Sequence, residues 1–417
     1  MSEVTWEITS LSELGTFSRG KSKHRPRNDI KLFEGGTYPL VQTGDVKAAN
    51  LYITKNDSYY NDFGLKQSKL WPAGTLCITI AANIAETAIL SYPMCFPDSI
   101  VGFNANPEKS SELFVYYFFE YIKKEIQKSA SGSIQDNINI DYLSKMRIKI
   151  PEKDYQDKIV EVLSSIDKKI LLNNQINQEL EAMAKTLYDY WFVQFDFPDQ
   201  NGKPYKSSGG KMVYNPELKR EIPEGWGVEK LSSLLEIGRE TINPMKTPKE
   251  KFKYYSIPEY DVSGSFSYEL GETIKSNKFL VEKSDLLVSK LNPWFNRVVY
   301  NLEENAISST EFIVWKTFNQ SEKNFLYQVA TSKGFIEYCT RFATGTSNSH
   351  KRVSPDIMVG FQIPFEKTYI QKFGEITDSI RTQVLQNNVQ NQELTQLRNW
   401  LLPMLMNGQV KVQDFTI

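Results

Sequence analysis

The feature that most constrains this chain is a run of residues, 152–197, that contains neither glycine nor proline. Within it, apolar or amide side chains recur at alternating spacings of four and three, which is the heptad pattern of a coiled-coil seam. The seam positions are Ile159, Leu163, Ile166, Ile170, Asn173, Asn177, Leu180, Ala184, Leu187 and Trp191. The spacing therefore predicts one long helix that packs against another helix along this face.

A second seam of the same period recurs near the C-terminal end of the chain. Its positions are Phe373, Thr377, Ile380, Val384, Asn387, Asn391, Leu394, Arg398, Leu401 and Leu405. The octapeptide NNQINQEL at 173–180 recurs there as NNVQNQEL at 387–394, so each helix has two asparagines in the middle of its seam.

Buried amides need hydrogen-bonding partners, and an asparagine layer fixes the register of a coiled coil. If the two helices pack antiparallel, Asn173 lies near Asn391 and Asn177 lies near Asn387. The alternative is that the octapeptide forms a solvated helix face.

The repetition covers most of each half of the chain. WEITSLSEL at 6–14 matches WGVEKLSSL at 226–234, and IKIP at 148–151 matches FQIP at 361–364. A period this long exceeds that of solenoid repeats and indicates duplication of a whole domain with its connecting helix. The predicted segments are a first domain at 1–151, a central helix at 152–199, a linker at 200–223, a second domain at 224–364 and a C-terminal helix at 365–410.

Each globular half combines strand and helix signals. Buried strands are predicted at 75–82 and 285–291, and an aromatic-rich helix at 111–126. The predicted fold class is α+β: two similar mixed α/β domains separated by two long antiparallel helices that form a coiled coil, with a pseudo-twofold internal repeat. Helices of about 45 residues are roughly 65 Å long, and we expect them to hold the domains at opposite ends.

The formal net charge of −1 gives the chain no overall attraction to phosphate, but the charges are unevenly distributed. Residues 152–199 contain ten acidic and five basic side chains, whereas residues 18–31 contain six basic and one acidic. We therefore expect basic surfaces outside the helices. Two similar domains at a fixed separation suit the reading of two short sites on one duplex of DNA.

Several kinds of chemistry lack a signature in this sequence. The chain has two histidines and no paired cysteines, and it contains no P-loop and no glycine-rich methyl-donor loop. We expect no catalytic residue, no cofactor and no metal. The scattered Cys77, Cys95 and Cys339 indicate free thiols in a reducing compartment. A cytoplasmic location without membrane contact is expected, because no apolar run is long enough to span a bilayer and no signal peptide is recognisable.

In its layout and in several motifs, the chain resembles the specificity subunits of Type I restriction-modification enzymes. The motifs are the IP that closes each half at Pro151 and Pro364, LYDYWFVQFDFP at 187–198 and LRNWLLPMLMNGQV at 397–410. The resemblance implies two target-recognition domains that read a split, asymmetric DNA sequence. It also implies helices that dock methyltransferase subunits, two in number, and restriction and translocase subunits that join the complex. The methyl donor and ATP would belong to those partners, which leaves this chain without catalytic chemistry.

Candidate DNA-binding side chains are those that pair with phosphate, guanine or adenine. They fall in a basic segment and in loops of both halves: Arg19, Lys21, Lys23, Arg25, Arg27, Ser133, Gln135, Asn137, Lys290, Asn292, Asn296, Arg297, Ser347, Asn348, His350, Lys351 and Arg352. For the basic segment, the alternative is a merely solvated loop. NPWF at 292–295 is interpreted as a turn, because Trp294 replaces the second proline of an amino-methyltransferase motif.

The aromatic stretch WFVQFDF at 191–197 is a candidate docking surface for partner subunits, through Trp191, Phe192, Phe195 and Phe197. The alternative is packing against the adjacent recognition domain. At the level of the whole chain, two other hypotheses stay open. One is a stand-alone nuclease or methyltransferase with an unrecognised site, and the other is a coiled-coil interaction protein that does not bind DNA.

Overall fold

The chain forms two compact units in the computed structural model, which describes residues 4–81, 83–132, 139–345 and 350–412. The first unit comprises Met1–Asn173 and Val389–Ile417, and the second comprises Asn174–Asn388. Each unit therefore combines one globular half with a part of both long helices.

The first unit is built on two small sheets and a strand pair. The order of the five-stranded sheet is Gly15–Arg19, Ile100–Ala105, Leu76–Thr79, Thr87–Leu90 and Tyr52–Ile53. The order of the four-stranded sheet is Ser58–Tyr60, Tyr38–Leu40, Met94–Cys95 and Leu70–Trp71. Trp6–Ser10 pairs antiparallel with Arg147–Pro151. The helices of this globular half are Leu11–Leu14, Ile30–Leu32 (3-10), Thr43–Ala48, Asp62–Gln67, Glu112–Gly132 and Ile140–Lys145.

The second unit repeats this plan. The order of its four-stranded sheet is Glu236–Gly238, Phe312–Lys316, Leu286–Ser289 and Val298–Tyr300. The order of its five-stranded sheet is Thr241–Ile242, Lys278–Val281, Ala306–Ser308, Lys251–Tyr255 and Ser267–Leu270. Gly227–Lys230 pairs antiparallel with Gln362–Phe365. The α-helices of its globular half are Ile257–Ser263, Gln320–Thr331, Lys333–Phe342 and Pro355–Val359, and its 3-10 turns are Leu231–Ser233, Pro244–Lys246, Gly271–Thr273 and Pro293–Phe295.

The internal repeat is confirmed by the shared strand order. In each unit, a strand near the start of the domain pairs with a strand near its end. This late strand also pairs with an early buried strand, and the buried strand pairs on its other side with the next strand along the chain. The two buried strands predicted from the sequence are Leu76–Thr79 and Leu286–Ser289, and all their residues are buried. The predicted aromatic helix is Glu112–Gly132, and its apolar face packs into the core of the first unit.

Two long helices carry the heptad seams. They are Lys153–Tyr188, with 36 residues, and Lys367–Met406, with 40 residues, which corresponds to lengths of about 54 and 60 Å. Every predicted seam position in both helices is buried or half-buried. The second helix continues through Gly374, where the backbone of Ser321 approaches so closely that an added Cβ would lie 2.2 Å from its oxygen and only glycine fits. Gly408 adopts a φ of +77° just after the helix end, a conformation that favours glycine.

The two long helices run antiparallel within each unit, and the repeated asparagines pair as the seam predicts. In the first unit, Asn173 Nδ2 donates to Asn391 Oδ1 at 2.9 Å. In the second unit, Asn387 Nδ2 donates to Asn177 Oδ1 at 2.8 Å, and Asn177 Nδ2 donates to Asn388 Oδ1 at 2.8 Å. Asn173 and Asn387 are buried, so the octapeptide is not a solvated face.

The segment between the first long helix and the second domain is more ordered than a linker. A π-helical turn, Asp189–Val193, ends the helix, so the helix is shorter than the predicted 152–199. Within 200–223, the strands Met212–Asn215 and Arg220–Pro223 form a hairpin, and Ile222 is buried in the core of the second unit.

Candidate DNA interface

The basic segment of the first unit is exposed at all five predicted positions. The acidic residue Asp98 holds three of its arginines. The Nε of Arg19 donates to the backbone oxygen of Asp98 at 2.7 Å, and the carboxylate of Asp98 lies 2.5 Å from Arg27 and 3.6 Å from Arg25. One carboxylate does not balance three guanidinium groups, so this surface keeps a positive charge.

The two lysines of the same segment are fixed through their backbone and leave their ammonium groups in solvent. The N–H of Lys21 donates to Phe96 O at 3.1 Å, and the N–H of Lys23 donates to Gln67 O at 3.1 Å. Neither lysine forms an ion pair within the described residues. Five exposed cations on an anchored segment can contact phosphate or the edge of guanine.

In the second unit, the structure brings together two segments that are far apart in sequence. The N–H of Asn292 donates to Lys351 O at 2.7 Å, and the N–H of Val353 donates to Lys290 O at 3.1 Å. The N–H of Lys351 donates to Asn292 Oδ1 at 2.9 Å. We call the resulting surface, residues 290–297 and 350–352, the reading tip.

The cations of the reading tip divide into paired and unpaired groups. Arg297 binds Asp261 through two hydrogen bonds of 2.5 and 2.8 Å, and Arg352 binds Glu311 through contacts of 2.9 to 3.2 Å. Lys290 and Lys351 form no ion pair within the described residues. The tip therefore has two lysines available for phosphate, with Asn296 and His350 exposed beside them.

Asn292 differs from the other predicted contacts, because it is only 7% exposed. Its side chain is engaged with the backbone of Lys351, and its φ of 48° sets the sharp bend that begins the turn. This asparagine shapes the reading tip rather than presenting an amide to a base. NPWF forms the predicted turn, as a 3-10 segment at Pro293–Phe295.

Five predicted contacts, Ser133, Gln135, Asn137, Ser347 and Asn348, lie outside the described residues. The structure also adds two residues that the search for hydrogen-bonding side chains missed. Trp294 and Phe295 project from the reading tip and are 38% and 57% exposed. The sequence signal that could have found them is an aromatic pair between two asparagines, a residue type that is enriched at positive φ, and both asparagines adopt positive φ here.

The predicted docking surface at 191–197 is wrong for its four aromatic residues. Trp191, Phe192, Phe195 and Phe197 are at most 4% exposed. They pack on the core of the second unit, where Phe192 contacts Phe325 and Phe197 stacks on Trp226, at ring-centroid distances of 4.9 Å each. The π-helical turn folds the stretch back onto the domain, so the rings cannot contact a partner.

The described residues contain no cluster of His, Cys, Asp and Glu that could hold a metal ion. Cys77, Cys95 and Cys339 are buried free thiols. Burial raises the pKa of Cys95 to about 11 and that of Cys339 to about 12, so neither is a reactive thiolate at neutral pH. No helix within the described ranges is both long and apolar enough to cross a membrane.

Comparisons with known proteins agree with this architecture. The family described as "Type I restriction modification DNA specificity domain" matches residues 3–182. The MjaIX specificity subunit of a Type I restriction enzyme from Methanocaldococcus jannaschii is 24% identical, over 98% of this chain and 94% of the relative. The HindI specificity subunit from Haemophilus influenzae is 25% identical, over 92% of this chain and 97% of the relative.

A solved structure shares the fold. The crystal structure of a Type I restriction-modification S subunit from M. genitalium superposes with a TM-score of 0.57, at 15% identity, over 100% of this chain and 98% of that chain. The full-length matches, the family domain over residues 3–182 and the repeated α/β architecture make this chain similar to the specificity subunits of Type I restriction-modification enzymes.

Proposed function

We propose that this chain is a non-catalytic specificity subunit that reads a split, asymmetric DNA target, with one part contacted by each recognition domain, and that the long helices set the spacing between the parts. The observation that carries the proposal is a shared scaffold with different surfaces. Four strands follow the same order in both units, yet the connection between the third and fourth of them is IAANIAE at 80–86 in one and KLNPWFNR at 290–297 in the other. Duplicated scaffolds with unlike loops suit two unlike sequences.

The DNA surfaces are the basic segment at 19–27 and the reading tip. Lysines bind phosphate as point charges, and each phosphate contact adds to the salt dependence of binding. We expect Lys290→Ala with Lys351→Ala to weaken binding at all sequences and to lower the salt slope by about two. Lys333→Ala with Lys367→Ala, two exposed lysines on helices of the same unit, is the matched control and should leave the slope unchanged.

The experiment that tests the function is methylation-sensitive sequencing of DNA from cells that express the chain with its methyltransferase and restriction partners. The expected result is one bipartite motif with two unlike parts and a fixed gap. A continuous motif, or methylation by the purified chain alone, would contradict the proposal.

Docking of partner subunits is proposed at exposed apolar side chains on the long helices, in place of the buried stretch at 191–197. The second unit exposes Met183 and Tyr190, and the first exposes Leu397 and Trp400. Met183 follows its octapeptide at the same interval as Leu397 follows the second copy, so the two hold equivalent positions in the repeat. Two apolar surfaces that share this equivalent position support the docking of two methyltransferase subunits.

We expect Leu397→Glu with Trp400→Glu to reduce the number of bound methyltransferase subunits from two to one, as measured by native mass spectrometry of the complex. Gln392→Glu with Gln396→Glu adds the same charge to exposed positions of the same helix and should leave two bound. Loss of both subunits, or of neither, would argue against independent equivalent surfaces.

A further inference from the structure

We propose that Trp294 and Phe295 form a stacking wedge that inserts at one base step of the DNA duplex, so that the second domain, and not the first, distorts its part of the target. This inference rests on the proposed DNA-reading function and adds a distinct contact to it. The two rings lie on the turn Pro293–Phe295, with their centroids 6.0 Å apart and their planes inclined by 47°.

The turn is held in a conformation that forces the two rings outward. Asn292 and Asn296 flank it with φ values of 48° and 50°, in the left-handed region. Pro293 is buried beneath the turn, and buried Asn292 ties it to the backbone of Lys351 from both its N–H and its Oδ1. The exposed rings therefore belong to a fixed bend, which lowers the conformational entropy lost on binding.

Phe295 is also fixed from its face. The guanidinium of Arg297 lies 4.6 Å from the ring centroid, and Arg297 is itself held by two hydrogen bonds to Asp261. The side chain of Arg297 is only 10% exposed. A nearly buried arginine, held by the partly exposed carboxylate of Asp261, thus supports an exposed aromatic ring, an arrangement that orients the ring instead of hiding it.

The surroundings of the rings favour a nucleobase over an apolar protein surface. Lys290, Asn296 and Lys351 lie in the same tip, and His350 and Arg352 are exposed there. The apolar area is limited to two rings inside a polar and cationic rim. An apolar protein interface needs a larger continuous patch, whereas aromatic or apolar side chains beside phosphate-binding lysines are the means by which proteins stack on bases and open a base step.

The equivalent turn of the first unit has no such element. It joins Leu76–Thr79 to Thr87–Leu90 through IAANIAE, which has no aromatic residue. Its Ala85 is buried. The wedge is therefore a property of one recognition domain, which predicts that DNA distortion is confined to one part of the split target.

The test uses the full chain alone at low ionic strength, without partners, so that base flipping by a methyltransferase cannot contribute. The probe is a short duplex that carries the bipartite motif found by methylation sequencing. Permanganate oxidation of thymines reports unstacking, and fluorescence anisotropy reports affinity. We expect unstacked thymines within one part of the motif, and loss of that reactivity in Trp294→Ala with Phe295→Ala, together with binding weakened about 10- to 100-fold.

Three further variants separate stacking from other roles. Phe295→Tyr keeps an aromatic face and should retain the permanganate signal, whereas Phe295→Ser removes both the ring and its apolar volume and should lose it. Phe318→Ala removes an exposed aromatic residue beyond the opposite end of the strand Phe312–Lys316 and should behave as the wild type. Thermal unfolding of each variant should match the wild type, because the altered rings are exposed.

The outcomes distinguish this inference from the function on which it rests. A wild-type chain that does not prefer the motif duplex over unrelated DNA would contradict both. A wild-type chain that prefers the motif but leaves every thymine unreactive would overturn the wedge alone. The wedge would also be overturned if the double alanine variant kept full affinity and lost binding to a methyltransferase subunit, because the tip would then be a protein contact.

Discussion

In each unit, a tyrosine at an equivalent position of the recognition domain contacts a charged residue on a long helix. The charge of that residue is opposite in sign in the two units. In the first unit, Tyr117 donates its hydroxyl to Asp167 Oδ2 at 2.6 Å. In the second, the ring of Tyr327 lies 4.0 Å from the guanidinium of Arg381. Asp167 precedes its octapeptide by the same interval as Arg381 precedes the second copy, so the two charges hold equivalent positions.

Each charge is balanced from the opposite long helix within its own unit. Asp167 pairs with Arg398 at 2.7 Å, and Arg381 pairs with Glu181 at 2.5 Å. Burial and the carboxylate of Asp167 raise the pKa of Tyr117, so its hydroxyl remains a hydrogen-bond donor. The duplicated scaffold keeps the positions of this joint in both units, while the charge on the long helix is inverted together with the charge of its partner.

The helix that carries the tyrosine differs in a similar way. Residues 111–112 and 321–322 both read Ser-Glu, which aligns Leu113 with Lys323 and Phe114 with Asn324. Phe114 is buried in an apolar core. Lys323 is buried as well, but its Nζ donates to the backbone oxygens of Asn301 and Lys283 at 2.5 and 2.6 Å. The second unit has replaced apolar packing by a hydrogen-bonded polar core at the same backbone positions.

The largest expected effect on stability comes from substituting Arg381 or Arg398, the arginines of the two ion pairs beside these tyrosines. Arg398→Met leaves Asp167, whose side chain is only 8% exposed, without its countercharge, so we expect a loss of about 3 kcal/mol in the unfolding free energy of the first unit. Arg381→Met leaves the carboxylate of Glu181, which is 36% exposed and can be solvated, so it should cost about 1 to 2 kcal/mol in the second unit. Hydrogen exchange measured separately for the two units checks both, and a larger loss for Arg381→Met would contradict the ranking.

Gly374 tests how closely the second unit packs its recognition helix against a long helix. An added Cβ would meet the backbone of Ser321 at 2.2 Å, so Gly374→Ala should cost about 2 kcal/mol through overpacking. Position 160, its equivalent in the first helix, is a valine. Gly334→Ala is the control, because its Cβ would meet only a ring atom at 3.9 Å and alanine favours the helix. Denaturant titration would contradict the prediction if both variants were equally stable.

Lys323 should make the stability of the second unit depend on pH. The equivalent residue of the first unit, Leu113, has no titratable group and cannot do so. Burial lowers the pKa of Lys323 to about 7, below the value of about 10.4 of an unfolded lysine. Between these values the unfolded chain binds more protons than the folded chain, so stability rises with pH.

We expect a gain of about 1 to 2 kcal/mol between pH 7 and 9, limited because two backbone oxygens and the ring of Tyr300, at 4.1 Å, favour the ammonium form. Lys323→Met should flatten this profile, as measured by chemical denaturation followed in the second unit. The carboxylate of Asp285 also interacts with Lys323, so Asp285→Asn is the companion variant and should steepen the rise. An unchanged slope in Lys323→Met would assign the pH dependence to other groups.

The parts of the fold that followed from the sequence are those governed by periodicity. The heptad spacing predicted both long helices, and the doubled octapeptide predicted which asparagines pair, because seam position and antiparallel direction together determine the partners. The prediction that the aromatic stretch at 191–197 is a docking surface was wrong for a physical reason. The seam predicts a straight helix, but the π-helical turn Asp189–Val193 redirects the chain and buries the rings.

The reading tip could not be predicted from sequence patterns, because it is formed by contacts between segments that are distant in sequence. Sequence composition identified Lys290 and Lys351 as candidates, but their proximity results from the hydrogen bonds of Asn292 and Val353 between segments that are distant in sequence. The same reasoning placed Asn292 among the contacts, because an amide that builds a turn and an amide that meets a base look alike in sequence. The inverted joints at Asp167 and Arg381 were missed, since a search for similarity passes over positions of opposite charge.

The smallest expected effect on stability concerns the two asparagine layers. The two layers resemble each other more than do the contacts of the equivalent tyrosines with Asp167 and Arg381. Each layer contains an amide hydrogen bond across the seam, from Asn173 to Asn391 and from Asn387 to Asn177, so double-mutant cycles should give coupling energies of about 1 kcal/mol for each pair. Alanine is the substitution, and urea unfolding is the measurement. Additive losses in either cycle would remove the pairing from that layer.

A difference between the cycles would be informative as well. Asn173 also donates to Gln390 Oε1 at 2.8 Å, whereas Asn177 also donates to Asn388 Oδ1. Because the longer glutamine side chain loses more conformational freedom when it is fixed, we expect Gln390→Ala to cost less than Asn388→Ala, by a few tenths of a kcal/mol. If Gln390→Ala cost more stability than Asn388→Ala, the layer at Asn173 would depend on Gln390. The octapeptide would then fix the register of the helices through different contacts in the two units.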